Sequence, residues 1–345
     1  MKLSMPLSYA GGFKESAAQA TALEAAGLDT VWVAEAYGFD AVSLMGYLAA
    51  VTDRVEIGAA ILPIYTRTPS LMAMTAAGVD ALSDGRCVLG IGASGPQVIE
   101  GFHGLPYTQP LARTRDVIEV CRKVWRRERV THDGPTVTLP LPPDQGTGLG
   151  KPLKLITHPV RDHIPVYVAA LGPKNVEMTA EVADGWLPLF YLPEKVDDVW
   201  GDALAAGRAK RPDDLGPLEI VAGGLLAVGD DAAGMRDLAR PMVALYVGGM
   251  GAKGRNFYND LACRYGFEAE AARIQDLYLD GHKDEAAAVV PEALLEATTL
   301  CGPEGYVRDR LAAYKEAGVT SLNVTPIAAD VPTLVTQVKD WIEHA

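Results

Sequence analysis

The chain of 345 residues is short of positive charge, short of cysteine and without a long apolar run, and each shortage closes off a class of function. Its 31 lysines and arginines face 44 aspartates and glutamates, a formal net charge of −13. Phosphate backbones and anionic membranes demand clustered cations, so neither nucleic acid nor membrane is an expected partner. The one dense basic stretch, Arg122–Arg129, closes a helical pattern, where positive charge complements the helix dipole. Cys87, Cys121, Cys263 and Cys301 are scattered, with neither a disulfide framework nor zinc-ligand spacing. No metal site is expected, and a reducing cytoplasm fits. No run reaches the ~18 apolar residues of a membrane span, and the opening MKLSMPLSYAGG has no apolar signal core.

What the chain does have is a 49% hydrophobic share, enough for a large core, in a repeating order. Short β-branched runs precede helical patterns: Leu3–Tyr9 before Phe13–Ala26, Thr30–Glu35 before Ala41–Thr52, Val55–Leu62 before Ser70–Leu82, and Cys87–Ala93 before Ala112–Glu128. A Pro-, Gly- and Asp-rich stretch, 133–151, is read as part of a surface insertion near 130–163. The alternation then resumes with Ile164–Leu171 and Asn175–Ala183, Gly185–Phe190 and Glu194–Lys210, and Leu218–Val228 and Met235–Val247. It ends with Thr320–Thr325 and Pro332–Glu343.

Eight such units in order predict an α/β fold, a closed (β/α)8 TIM barrel forming one domain over 1–345. An open doubly wound sheet is the alternative. Residues 248–300, rich in Gly, Ala and acidic residues, are expected as a helical insertion that walls the site. Barrel sites lie at the C-terminal ends of the strands, so the residues there are the candidates.

Gly90, Gly92 and Gly95 spell G-x-G-x-x-G, but a dinucleotide fingerprint closes the first strand of its unit and opens directly into a helix. Here it follows the fourth strand and precedes Pro96–Gln109, a glycine- and proline-rich stretch read as a loop. Gly90 and Gly92 are therefore taken to relieve crowding inside the barrel. Ser94, Gly95 and Gln97 stand where loop chemistry is presented and suit hydrogen bonding to a flat polar ring. At the third strand end, Ala59 and Ala60 either admit a planar ligand or simply pack the interior. Arg67 either holds an anionic tail or pairs with an acidic neighbour.

The fifth strand runs into Ala169-Ala-Leu-Gly-Pro-Lys-Asn175, where glycine and proline at a helix start leave backbone N–H groups for a phosphate. Glu35, after the apolar end of the second strand, is the candidate general acid or base, or else the partner of a neighbouring loop. His103 and His158 lie in loops that reach towards the mouth, although isolated loop histidines are more often solvated. His103 joins Lys253, Asn256 and Tyr258 of the second insertion as candidate substrate contacts.

GAAILPIYTRTP (58–69), LGIGASGPQVIEGFHG (89–104), IPVYVAALGPKNVEMTAEVADGWLP (164–188) and GMGAKGRNFYNDLACRYGF (249–267) together resemble the bacterial luciferase-like superfamily. More narrowly, they resemble its oxidoreductases dependent on coenzyme F420. The resemblance implies a barrel with the deazaflavin at its C-terminal face and a cis non-proline peptide at Ala60–Ile61 behind the ring. It implies Ser94, Gly95 and Gln97 along the cofactor, and Leu171, Gly172 and Asn175 by its phosphate, with Ala170 also a cofactor-binding candidate.

Sugar-phosphate dehydrogenases of this superfamily carry an Asp-His pair where this chain has Glu35-Ala36, which counts against their chemistry. The expected activity is hydride transfer between the deazaflavin and a small organic substrate in a homo-oligomer, dimer or tetramer. The alternatives are an FMN-dependent monooxygenase of the same fold and a deazaflavin carrier or sensor without turnover. Methylenetetrahydromethanopterin reductase is compatible with the resemblance but is singled out by no residue.

Overall fold

A computed structural model describes residues 1–8 and 12–344. Eight parallel strands form a ring in chain order: β1 (Lys2–Pro6), β2 (Thr30–Val33), β3 (Glu56–Ala59), β4 (Cys87–Gly92), β5 (Val166–Ala169), β6 (Gly185–Leu187), β7 (Glu219–Ala222) and β8 (Ser321–Asn323). β8 pairs with β1 and β3 with β4, so the barrel is closed and the open-sheet alternative falls. Tyr9, the expected end of the first strand, lies outside the described residues. Around the ring stand α1 (Phe13–Ala25), α2 (Ala41–Val51), α3 (Pro69–Leu82), α4 (Pro110–Trp125), α5 (Pro173–Val182), α6 (Val196–Arg208), α7 (Glu304–Glu316) and α8 (Val331–His344).

The strands are buried on both faces, and alternation sends every second residue inward. Two large rings, Trp32 and Tyr167, fill the middle of the barrel at 5.7 Å. Glycine stands opposite each: a Cβ on Gly58 would lie 2.2 Å from the Trp32 ring, and one on Gly185 2.6 Å from the Tyr167 ring. Below them Lys2 pairs with Glu56 at 2.9 Å and the Tyr167 hydroxyl donates to Glu219. The barrel is thus plugged from its N-terminal end, and a ligand must enter from the other.

At that open end the helices start in a shared way. α3, α4 and α5 all begin with proline, whose missing N–H and fixed φ suit a first turn. Asp40 caps α2 by accepting from Ser43 N at 2.9 Å. Burial works against the Asp40 charge, but the two Ser43 hydrogen bonds and the nearby Arg67 guanidinium hold its carboxyl below the usual range.

Three expectations are corrected. The seventh strand does not run unbroken to Val228: it bends at Gly223-Gly224, and Leu225–Val228 joins Leu300–Gly302 and Thr325–Pro326 in a small parallel sheet beside the barrel. Only glycine fits the bend, since a Cβ on Gly223 would stand 2.2 Å from the Asn323 carbonyl and one on Gly224 2.1 Å from that of Thr298. The helix after the seventh strand is α7, while residues 232–249 are a 3-10, α and π succession packed with the inserted helices. Gly248 and Gly249 fit under the Tyr278 ring, which draws this stretch into the insertion. Finally, the stretch after β4 opens with a short helix, Pro96–Gly101, before it becomes a loop.

In the first insertion, His132–Asp133 and Thr138–Leu139 pair antiparallel and are pinned to α4 by Asp116, which meets His132 Nε2 at 3.1 Å and Thr136 N at 2.8 Å. Among the described residues no helix is long and apolar enough to cross a membrane. A Cβ on Gly90 would overlap the Ala59 carbonyl oxygen at 1.7 Å, a backbone atom that cannot step aside. Gly90→Ala is therefore expected to cost about 3 kcal/mol or more by forcing β3 and β4 apart, read as a lowered midpoint in urea unfolding.

Candidate active site

Between β3 and β4 the register slips by one residue. Gly58 pairs with Val88 and Leu62 with Ile91, so Ala59–Ile61 lie opposite only Leu89 and Gly90. This is a bulge, and the Ala60–Ile61 peptide within it is cis. Ala60 and Ile61 are half-buried at the mouth. A Cβ on Gly92 would meet Ile61 Cγ1 at 3.0 Å and Ala169 Cβ at 3.3 Å, so Ile61, Gly92 and Ala169 form one close-packed apolar shelf.

Ser94 leaves β4 with φ 58°, and Gly95, extended, caps the short helix that carries Gln97. Both Ser94 and Gln97 are exposed beside the shelf. The expectation for Ala170 shifts by one position. Ala170 is buried and its carbonyl accepts Trp186 Nε1 at 2.9 Å, so strand alternation hands the mouth to Ala169.

At the end of β5, Gly172 caps α5 and Pro173 starts it. The Leu171 carbonyl is held by Trp200 Nε1 at 2.8 Å, and Asn175 Oδ1 is buried with no hydrogen-bond partner. Beside them a pocket of about 310 Å³ opens between Leu171, Gly172 and Pro173 on one side and Phe257, Leu261 and Arg264 on the other.

Glu35 is not a free acid or base. Its two carboxylate oxygens take Arg67 Nη1 at 2.5 Å and Nη2 at 2.9 Å, and Ala41 N donates to Oε2 at 3.0 Å. The side chains keep only 11% and 14% of their surface, so this is a largely desolvated bidentate pair. Glu35 and Arg67 therefore tie the loops after β2 and β3 together, and Arg67 is not available to an anionic tail.

Of the insertion's three candidates, Tyr258 alone is, among the described residues, not taken up by a hydrogen bond or ion pair of its own side chain to the insertion. Tyr258 stands against Tyr246 at 4.7 Å and Phe190 at 6.3 Å. Burial pushes its hydroxyl pKa up, aided by Tyr246 and by Tyr107 of the β4 loop. Asn256 is spent on structure: its Nδ2 donates to the Tyr246 and Val247 carbonyls at 2.9 and 3.0 Å while Oδ1 caps the helix Phe257–Arg264. Lys253 is exposed and paired with Asp276 within the insertion.

His103 is exposed, edge-on to Phe102 at 5.1 Å. His158 sits beside Arg127 Nη1 at 3.2 Å, tied to the end of α4. Sequence reasoning passed over Tyr65 and Tyr107, whose rings meet at 5.2 Å, and the exposed rings of Tyr37, Phe39 and Phe102. The available signal was their placement: aromatic residues immediately after strand ends, where no core needs them.

A family model described as luciferase-like monooxygenase matches residues 2–321, and the chain belongs to that family. It is an enzyme of the luciferase-like class. A Mycobacterium tuberculosis protein that carries the provisional name coenzyme F420-dependent oxidoreductase is 42% identical over 96% of both chains. The 5,10-methylenetetrahydromethanopterin reductase of Archaeoglobus fulgidus is 27% identical over 89% of this chain and 88% of its own. Among solved structures, the coenzyme F420 dependent tetrahydromethanopterin reductase of Methanopyrus kandleri superposes with a TM-score of 0.82 at 22% identity, over 99% of this chain and 98% of that one, a likeness of fold.

Removing one partner of the Glu35–Arg67 pair strands a desolvated charge. Arg67→Ala is expected to cost about 3 kcal/mol, and adding Glu35→Gln should restore part of that loss, as a double-mutant cycle in denaturant unfolding would show.

Proposed function

We propose that the protein is a coenzyme F420-dependent oxidoreductase that moves a hydride between C5 of the deazaflavin and a small organic substrate. The observation that carries this reading is the shelf of Ala60, Ile61, Gly92 and Ala169 at the mouth, with a helix start a few residues beyond its β5 edge. Shelf and helix start fit the two ends of such a cofactor. Small groups accept a planar ring, while the helix start at Gly172 suits a phosphate and the unpartnered Asn175 Oδ1 can accept from a hydroxyl of its polyol neighbour. When bound, the deazaflavin supplies two-electron hydride chemistry.

The chain's own residues do the rest. Ser94, Gly95 and Gln97 offer donors and acceptors along the ring edge, and Leu171 closes the phosphate end. The Glu35–Arg67 pair holds the floor loops in place rather than moving a proton. Proton supply at the mouth falls to other groups. Burial, reinforced by Tyr65, pushes the Tyr107 hydroxyl up to about 12, so it keeps its proton at neutral pH; it lies 3.4 Å from the Ser94 carbonyl. Tyr258 and His103 are the substrate-side neighbours.

The four free cysteines support a cytoplasmic setting. A homo-oligomer is supported by the outward faces of α2 and α3. They expose Tyr47, Val51, Leu71, Met74 and Leu82, and the only charged residue in either helix, Asp80, is buried. An FMN-dependent monooxygenase is the second reading, favoured by the family's description.

Fluorescence titration separates the two readings. Coenzyme F420 is expected to bind at micromolar or tighter Kd, about 8 kcal/mol, and FMN far more weakly; a preference for FMN would move the protein to the monooxygenases. Ser94→Ala with Gln97→Ala should weaken F420 binding about tenfold, the loss of roughly one hydrogen bond, and an unchanged Kd would remove both residues from the cofactor site. Met74→Arg is expected to shift the sedimentation coefficient to that of a smaller species.

A further inference from the structure

The loops after β2 and β4 send large rings to the rim of the mouth that serve no core. Tyr37 is 69%, Phe39 64% and Phe102 65% exposed. They stand in two groups that the loop 34–40 brings into one bank: Tyr37 meets Phe102 at 6.2 Å with His103 edge-on to Phe102 at 5.1 Å, and Phe39, two residues on from Tyr37, meets Phe13 edge-on at 5.4 Å. Large apolar rings grouped in water mark a surface that is covered when the protein works. This one lies in the loops at the C-terminal ends of β2 and β4, where a barrel receives its small ligands.

Charge narrows the occupant. The two loops that carry the bank, 34–40 and 94–109, contain Glu35, Asp40 and Glu100 and neither lysine nor arginine. Arg67 answers Glu35 from the neighbouring loop and lies close enough to Asp40 to stabilise its charge. The two loops thus offer an anion neither lysine nor arginine and set carboxylates beside it, and the exposed Lys14 belongs to α1, after Phe13. His103, at its end, adds a ring nitrogen for a single polar contact.

We propose that this aromatic bank is the substrate shelf of the site and that it takes a neutral, flat, apolar compound, aromatic or alicyclic with a conjugated carbonyl, and not a sugar phosphate or other anion. The inference rests on the cofactor reading above and names the substrate class for it. Stacking on Tyr37 and Phe102 orients the compound, and His103 meets its carbonyl.

Isothermal titration tests it with trans-4-phenyl-3-buten-2-one as probe and glucose 6-phosphate as anionic control, on the protein with and without saturating F420. The ketone is expected to bind the F420-loaded protein and the sugar phosphate not to. Tyr37→Ala with Phe102→Ala should weaken the ketone tenfold or more while the F420 Kd stays unchanged, and Phe102→Leu alone should keep most of the affinity. These rings are exposed, so the variants fold. Equal ketone binding by the double variant, tighter binding of the sugar phosphate, or no ketone binding once F420 is bound each overturns the inference and leaves the cofactor reading intact. Loss of the oligomer in the double variant without loss of ketone binding overturns it too, since the bank is then a contact between copies. Failure of F420 itself to bind sinks the cofactor reading, and the titration of the cofactor-free protein then decides the bank on its own.

Discussion

The approach of β3 to β4 at Gly90 governs the upper half of this molecule. With the Ala59 carbonyl where a Cβ would be, the two backbones come closer than any side chain permits. The third strand then carries one residue more than its partner before it pairs again at Leu62 and Pro63. That surplus residue lifts Ala60 and Ile61 out of the ladder towards the mouth. A parallel barrel without the surplus would fill its top layer with branched side chains, as the Trp32 and Tyr167 layer beneath is filled, and would have no shelf.

The second organising element is electrostatic. The mouth is built from loops that would otherwise move independently, and the Glu35–Arg67 pair joins two of them at the level of the α2 and α3 starts. A bidentate guanidinium–carboxylate contact fixes angle as well as distance. The neighbouring Asp40 cap shares the same positive charge, so the start of α2 and the floor of the site are set together.

The periodicity of the chain revealed the eight strands because each is a buried run bounded by turn residues, although the third and seventh were expected to run on past Ala59 and Ala222. It could not show that Gly223-Gly224 bends the seventh strand, because the reason is the Asn323 and Thr298 carbonyls, one of them about a hundred residues away. α7 was passed over because residues 304–316, with their many charges, have only a weak apolar stripe. In the site, strand-end position singled out loops but could not show the neighbours of each residue. Glu35 and Arg67 were each named with a partnered alternative, yet only the fold brings their strand ends side by side. Ala170 was preferred to Ala169 because inward and outward positions differ by a single residue. Asn256 looked free because a helix cap is invisible until the helix boundary is known.

The small sheet beside the barrel has a meaning of its own. Leu226 pairs with Leu300 and Val228 with Gly302, so the chain departs into some seventy residues of inserted helices and returns on the adjoining strand. The chain enters and leaves those helices at two neighbouring points about a strand spacing apart, which makes the insertion a cassette. Its length and sequence can drift, or be exchanged with a relative's, without disturbing the closure of the ring. Evolution can therefore retune what reaches the mouth while the machinery beneath stays as it was.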